Sequence, residues 1–249
     1  MRLPAPGPSF VGMNADTSSH RADRTAVITG ASAGLGRALA ERLAEAGWNL
    51  VLAARGEARL AEVAERLGAR YLSGDLAYRP EHRRRLVELA DGRIDLLVNN
   101  ASTLGEVPMP RLAESDPDTW PATFELNLRA PFHLARLALP TLRERRGAIV
   151  NISSDAAVGP YPTWGVYGAS KAALDQLSNV LGAEEPDVRV WSVDPGEMNT
   201  EMLSSAVGAD EAGRASPPEH SAAAIARIIE TRPESGRLLA ADFTTEAAR

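Results

Sequence analysis

The 249-residue sequence contains no cysteine. Disulfides and thiolate metal sites are therefore excluded. Lysine is nearly absent as well: of 27 Lys and Arg residues, Lys171 is the single lysine and 26 are arginine. No apolar run reaches the roughly 18 residues that a membrane-spanning helix needs. A formal net charge of -6 speaks against a nucleic-acid partner, because such proteins usually carry a basic patch. The N-terminus, MRLPAPGPSFVG, holds Pro4, Pro6 and Pro8 and no apolar stretch of signal-peptide length. These absences lead to the expectation of a cytoplasmic protein without a membrane segment. His20, His82, His133 and His220 are scattered without ligand spacing, so no metal is expected.

Composition then bounds the class. With 44% hydrophobic and 24% charged residues, the chain is long enough to bury a substantial core as one globular domain. Residues 1–24 are Pro- and Gly-rich and then polar (NADTSSHRAD), which predicts a poorly ordered extension before a single domain over 25–249. Met13 lies inside that extension and is a candidate natural start; an intact mass beginning at Met1 would exclude it.

Beyond the extension, short apolar runs alternate with helical patterns. Strands are predicted over 25–30, 48–54, 70–75, 94–100, 147–154, 188–194 and 236–241. Helices are predicted over 34–47, 57–68, 80–92, 118–146, 164–184 and 217–231. Pro131 and Pro140 make the continuity of the 118–146 helix an open question. Alternation of this kind implies a doubly wound α/β fold, with about seven parallel strands and helices on both faces.

The first strand runs into TGASAGLG, whose glycines are Gly30, Gly34 and Gly36. A Gly-rich strand-to-helix turn lets backbone N–H groups approach a pyrophosphate at the positive end of a helix dipole. An acid at the end of the second strand would grip a ribose 2′-hydroxyl. Here that position holds Arg55, which suits a 2′-phosphate and favours NADP(H) over NAD(H). An ordinary surface role for Arg55 stays open, and Glu57 is close by. Asp75, after the third strand, suits either an adenine amino group or a local turn.

Tyr167 and Lys171 lie four apart on a predicted helix, so both face one way. A phenol of pKa ~10 is a poor proton shuttle near neutrality. A neighbouring ammonium is expected to lower that value, and a compact rotatable donor does so better than a guanidinium. Ser153 and Ser154 end the fifth predicted strand, and Asn99 and Asn100 the fourth. Both ends fall on the carboxyl edge, where open α/β sheets bind ligands.

In this order, the motifs resemble those of the short-chain dehydrogenase/reductases, single-domain branch, over about residues 24–242. TGASAGLG matches their TGxxxGxG; NNAS at 99–102 matches NNAG except at Ser102; FELN, NISS, YGASK and DPGEMNT follow. The resemblance implies a Rossmann-type fold and hydride transfer between a nicotinamide and a carbonyl or secondary alcohol. It implies Tyr167 as general acid or base and Ser154 as the holder of the substrate oxygen. Lys171 would tune Tyr167 and bind the nicotinamide ribose, and Asn127 would keep a water in a proton relay. Cofactor contacts are implied for Gly30, Ser32, Gly34, Leu35, Gly36, Arg55, Asp75, Leu76, Asn99 and Ala101. They extend to Tyr167, Lys171, Pro195, Gly196, Met198 and Thr200. Ser102 is expected to shift the backbone against the adenosine half, and Ala33 to weaken the NADP preference. The resemblance also implies a homodimer or homotetramer formed through the 118–146 and 164–184 helices; a monomeric mass by light scattering would refute it.

Segments 155–166 and 197–216 overlie the active edge, the second as a long, lid-like loop. Asp155, Tyr161, Trp164, Glu197 and Met202 are candidates to line a substrate pocket, with plain loop packing as the alternative. The leading expectation is an NADPH-dependent ketoreductase acting on a small ketone or alcohol. A catalytically silent NADP(H)-binding regulator and an epimerase or dehydratase of the two-domain branch are the alternatives.

Overall fold

The computed structural model describes residues 24–244. Almost all of the expected N-terminal extension, and both candidate start sites, lie outside the described residues.

Seven strands form one parallel sheet: β1 (Thr25–Thr29), β2 (Asn49–Ala54), β3 (Arg70–Ser73), β4 (Leu96–Asn99), β5 (Ala148–Ile152), β6 (Arg189–Asp194) and β7 (Gly236–Leu239). Their order is β3-β2-β1-β4-β5-β6-β7. The direction of winding reverses between β1 and β4, which opens a crevice at their carboxyl ends. Register follows the pleat: Val27 pairs with Val51 on one side and Leu97 on the other.

Alternate residues of the same strands feed two separate cores. Ala26, Ile28, Leu50, Leu52 and Val98 pack with Leu35, Leu39 and Leu43 of α1 (Gly34–Glu45) and Leu60 and Val63 of α2 (Glu57–Leu67). Val27, Val51, Leu97 and Ile149 pack on the opposite face, with Leu86 of α3 (Pro80–Glu88). Because strands buried on both faces carry no polar alternation, they read as continuous apolar runs in the sequence.

The predicted 118–146 helix is continuous but composite. α4 (Trp120–Phe124) passes through one π-helical turn, Glu125–Arg129, into α5 (Ala130–Arg145), which runs on through Pro140. α6 (Gly165–Glu184) carries YGASK. The segment expected to be a long loop is largely helical: α7 (Glu201–Val207) and α8 (Ala209–Ala212) fill it. The Thr200 hydroxyl caps α7 by accepting from the Leu203 N–H at 3.3 Å, and Gly208, at φ 91°, separates the two helices. α9 (Pro218–Thr231) returns the chain to the β1 face, where Ile225, Ile228 and Ile229 join the α1 core.

Candidate active site

A cleft of about 990 Å³ runs along the carboxyl edge of the sheet. The turn after β1 forms one wall. Gly30 and Gly34 adopt φ of 68° and 51°, a region that favours glycine. Gly36 does not line the cleft; it permits close packing, since a Cβ there would lie 2.3 Å from the Gly30 carbonyl oxygen. Thr200 approaches from the opposite wall, its Cγ2 3.3 Å from where a Gly34 Cβ would stand.

Most of the residues expected at a cofactor meet in this cleft: Ser32, Gly34, Leu35, Arg55, Asp75, Leu76, Ala101, Pro195, Gly196, Met198 and Thr200. Asp75 also serves its local turn, accepting from the Ala77 N–H at 2.7 Å. The Asn99 side chain does not line the cleft. It is buried and donates to Asn151 Oδ1 at 2.8 Å, because β4 residue 99 points into the helix layer. Asn100 lines the cleft in its place, tying the strand end to the Thr29 and Gly30 carbonyls at 2.9 and 3.2 Å. Arg37 and Arg59 join Arg55 at the same end. A Gly-built backbone turn at a helix start fits a dinucleotide pyrophosphate; of the three guanidiniums, Arg37 pairs with Glu41 at 2.9 Å and Arg59 with Glu201 at 2.7 Å.

Tyr167, Lys171 and Ser154 line the inner end, and Asn127 lies buried behind them, outside the cleft lining. Tyr167 and Lys171 share a face of α6, the Lys171 ammonium nitrogen 5.6 Å from the Tyr167 ring centre. Lys171 is 2% exposed and its Nζ donates to the Ile152 carbonyl at 2.7 Å. Burial lowers its pKa to about 8, against a smaller upward pull from Asp175. Tyr167 moves the other way from expectation: burial raises its pKa to about 12, and hydrogen bonding with Ser154 and Ser102 offsets part of the rise. The Ser154 hydroxyl accepts from the Ala156 N–H at 3.1 Å and donates to Asp155 Oδ1 at 3.0 Å.

Asn127 sits in the π-helical turn with every side-chain valence used. Its amide donates to the Thr103 carbonyl (2.8 Å) and the Ser170 hydroxyl (2.9 Å) and accepts from the Thr103 N–H (2.9 Å) and the Ser102 hydroxyl (3.0 Å). Ser170 in turn donates to the Tyr167 carbonyl at 2.7 Å, which ties this network to the start of α6. Pro131, four residues on, has no N–H with which to occupy the Asn127 carbonyl. The Ser102 side chain, beyond the backbone effect expected of it, joins Asn127 to Tyr167.

Asp155, Tyr161, Trp164, Glu197 and Met202 all line the cleft. Trp164 meets Tyr167 edge-on, centroids 5.7 Å apart. A hydrogen bond to Asp155 raises the pKa of the Tyr161 phenol.

A family model described as short chain dehydrogenase matches residues 24–211. Serine 3-dehydrogenase of Rhizobium radiobacter is 35% identical over 194 residues, 75% of this chain and 77% of the relative. Sepiapterin reductase of Meriones unguiculatus is 39% identical over 195 residues, 71% of this chain and 74% of the relative. Among solved structures, an alcohol dehydrogenase from the archaeon Thermococcus sibiricus, complexed with 5-hydroxy-NADP, superposes with a TM-score of 0.78 at 28% identity. That match covers 87% of this chain and 95% of the other. The chain belongs to the short-chain dehydrogenase family and is an oxidoreductase.

Proposed function

We propose that the chain is an NADPH-dependent ketoreductase in which Ser154, Tyr167, Lys171 and Asn127 carry the reaction. The observation that carries this reading is the meeting of Ser154, Tyr167 and Lys171 at one end of a cleft whose other end holds a Gly-rich turn and three arginines, with Asn127 behind them linked through Ser102 and Ser170. Relatives named as reductases and a neighbour solved with an NADP derivative support it.

In this reading the Ser154 hydroxyl turns from Asp155 to the substrate carbonyl oxygen and fixes its position. NADPH, when bound, supplies the hydride that adds to the carbonyl carbon. Tyr167 donates its phenolic proton to the oxygen, completing the alcohol. A phenol held protonated by burial suits this direction, since it is present as the acid throughout the neutral range. Lys171 holds a cation beside the phenolate that results and offers donors to a ribose. The Asn127 carbonyl holds a water through which Tyr167 and Lys171 regain a proton. Arg55, with Arg37 and Arg59, would hold the 2′-phosphate; Asp155, Tyr161, Trp164, Glu197 and Met202 would bound the substrate.

Isothermal titration with NADPH and NADH tests the cofactor half. The wild type is expected to bind NADPH at least about tenfold more tightly, and Arg55→Ala to lose most of that preference, in keeping with one charge-assisted contact. Equal binding of both cofactors by wild type and variant would overturn the assignment of Arg55.

A further inference from the structure

Ser154, Lys171 and the Pro195–Gly196 turn lie on separate elements, and one guanidinium reaches the surroundings of all three. Arg237 is on β7, beyond the residues 24–211 matched to the family. Its Nε donates to Asp175 Oδ2 at 3.0 Å. Its Nη2 donates to Asp194 Oδ2 at 3.0 Å and to the Ser154 carbonyl at 3.2 Å. Both carboxylates are buried, each 7% exposed. Asp194 ends β6, and its other oxygen accepts the Gly196 N–H at 3.0 Å. Asp175 stands one helical turn past Lys171, and its Oδ1 is buried without a hydrogen-bond partner.

We propose that Arg237 is a positioning residue of this site: its planar fork holds Asp175, Asp194 and the Ser154 carbonyl together, and through them fixes the charge around Lys171 and the shape of the Pro195–Met198 turn. The inference rests on the ketoreductase reading for its consequence, but its geometry stands apart from it. A buried carboxylate needs a charge partner, and a guanidinium can serve two carboxylates and a carbonyl at once where an ammonium lacks the fork. The charged and titratable groups on the elements packed around Lys171 are Tyr167, Asp175 and Glu184 of α6, Asp155 after β5, Arg189 and Asp194 of β6, Arg237 of β7, and Glu125 with Arg129 in the π-helical turn; Glu184 ends α6, and Arg189 starts β6 and is paired with Glu234. Without Arg237, Asp175 would act uncompensated on the ammonium and hold its proton more firmly. Without Asp175, the upward pull on Lys171 is lost.

Lys171 is the single lysine of the chain, so protein grown on lysine labelled with carbon-13 at Cε gives one lysine resonance. Its shift, followed from about pH 6 to about pH 11, reads the titration of Lys171 with no substrate or cofactor present. The wild-type midpoint is expected near about 8. Arg237→Gln is expected to move it about one pH unit higher, and Asp175→Asn to move it lower. Arg237→Lys would add a second labelled lysine, so this variant is read by cofactor affinity alone. NADPH affinity by calorimetry should then fall about tenfold in Arg237→Gln and be partly recovered in Arg237→Lys. Opposite movements from two contacting residues are not what a general loss of packing produces. A midpoint that stays at the wild-type value in Arg237→Gln would overturn the proposal, whatever Asp175→Asn does. Should Arg237→Gln fail to fold, an unmoved midpoint in Asp175→Asn overturns it alone. A wild type that binds no NADPH would remove the cofactor reading, while the titration would still judge Arg237.

Discussion

Burial pushes Tyr167 and Lys171 in opposite directions because the protonated form is neutral in one and charged in the other. Tyr167 rises to about 12 and Lys171 falls to about 8. Below about 8 the pair is phenol and ammonium, the state that donates a proton to a developing alkoxide. As pH rises through the lowered Lys171 value, the ammonium is lost first, while Tyr167 keeps its proton. The reductive kcat/KM is therefore expected to be level below about pH 8 and to fall about tenfold per pH unit above it; a profile that rises through that range would contradict the assignment. The spacing of Tyr167, Lys171 and Ser154 made these residues legible, since a four-residue step on a helix and a strand end at the carboxyl edge are sequence properties. Ser102 and Arg237 were not. Ser102 reaches Asn127 across 25 positions, and Arg237 is one arginine among 26 whose partners lie 43 and 62 positions away.

The turn from β1 into α1 depends on close approach as much as on backbone freedom. Gly36 is the sharper case, because a methyl group there would meet the Gly30 carbonyl at 2.3 Å and the Asn100 amide at 2.4 Å. Gly36→Ala must push α1 away from the strand ends. It is expected to cost about 1–3 kcal/mol of stability, as overpacking does, and to weaken NADPH binding; a variant with wild-type melting temperature and affinity would show that the turn yields freely. The strand and helix runs were legible throughout, because sheet strands buried on both faces and amphipathic helices leave periodic marks. The segment 197–216 was misread as a loop because its helices, seven and four residues long, are too short to build a period. The π-helical turn at Glu125–Arg129 left only Pro131 as a sign: the proline spoke of a break, and the chain answered with a widened turn that keeps the helix going.

The whole molecule collects its chemistry on one edge. The ends of β1, β2 and β3 supply the Gly-rich turn, Arg55 and Asp75; the ends of β4, β5 and β6 supply Asn100, Ser154 and Pro195–Gly196. Three arginines, Arg37, Arg55 and Arg59, cluster at one end of the cleft beside Asp75, Glu201 and Glu219, and Asp155, Glu197 and Glu211 also line it. One ion pair crosses it, Arg59 to Glu201 at 2.7 Å; both side chains are solvent-exposed, so it adds little to stability. The strand order was legible only as far as alternation implies a parallel sheet; the clustering of the three arginines needed the fold, because they come from α1, the end of β2 and α2. The most direct test follows NADPH absorbance with a panel of small ketones, for wild type and Tyr167→Phe. The wild type is expected to consume NADPH only when a ketone is present. The variant, which keeps the ring but loses the proton donor, is expected to fall at least about a hundredfold in kcat with NADPH affinity retained. Ketone-dependent turnover that survives in Tyr167→Phe, or a wild type that binds NADPH and reduces no carbonyl, would contradict the ketoreductase reading.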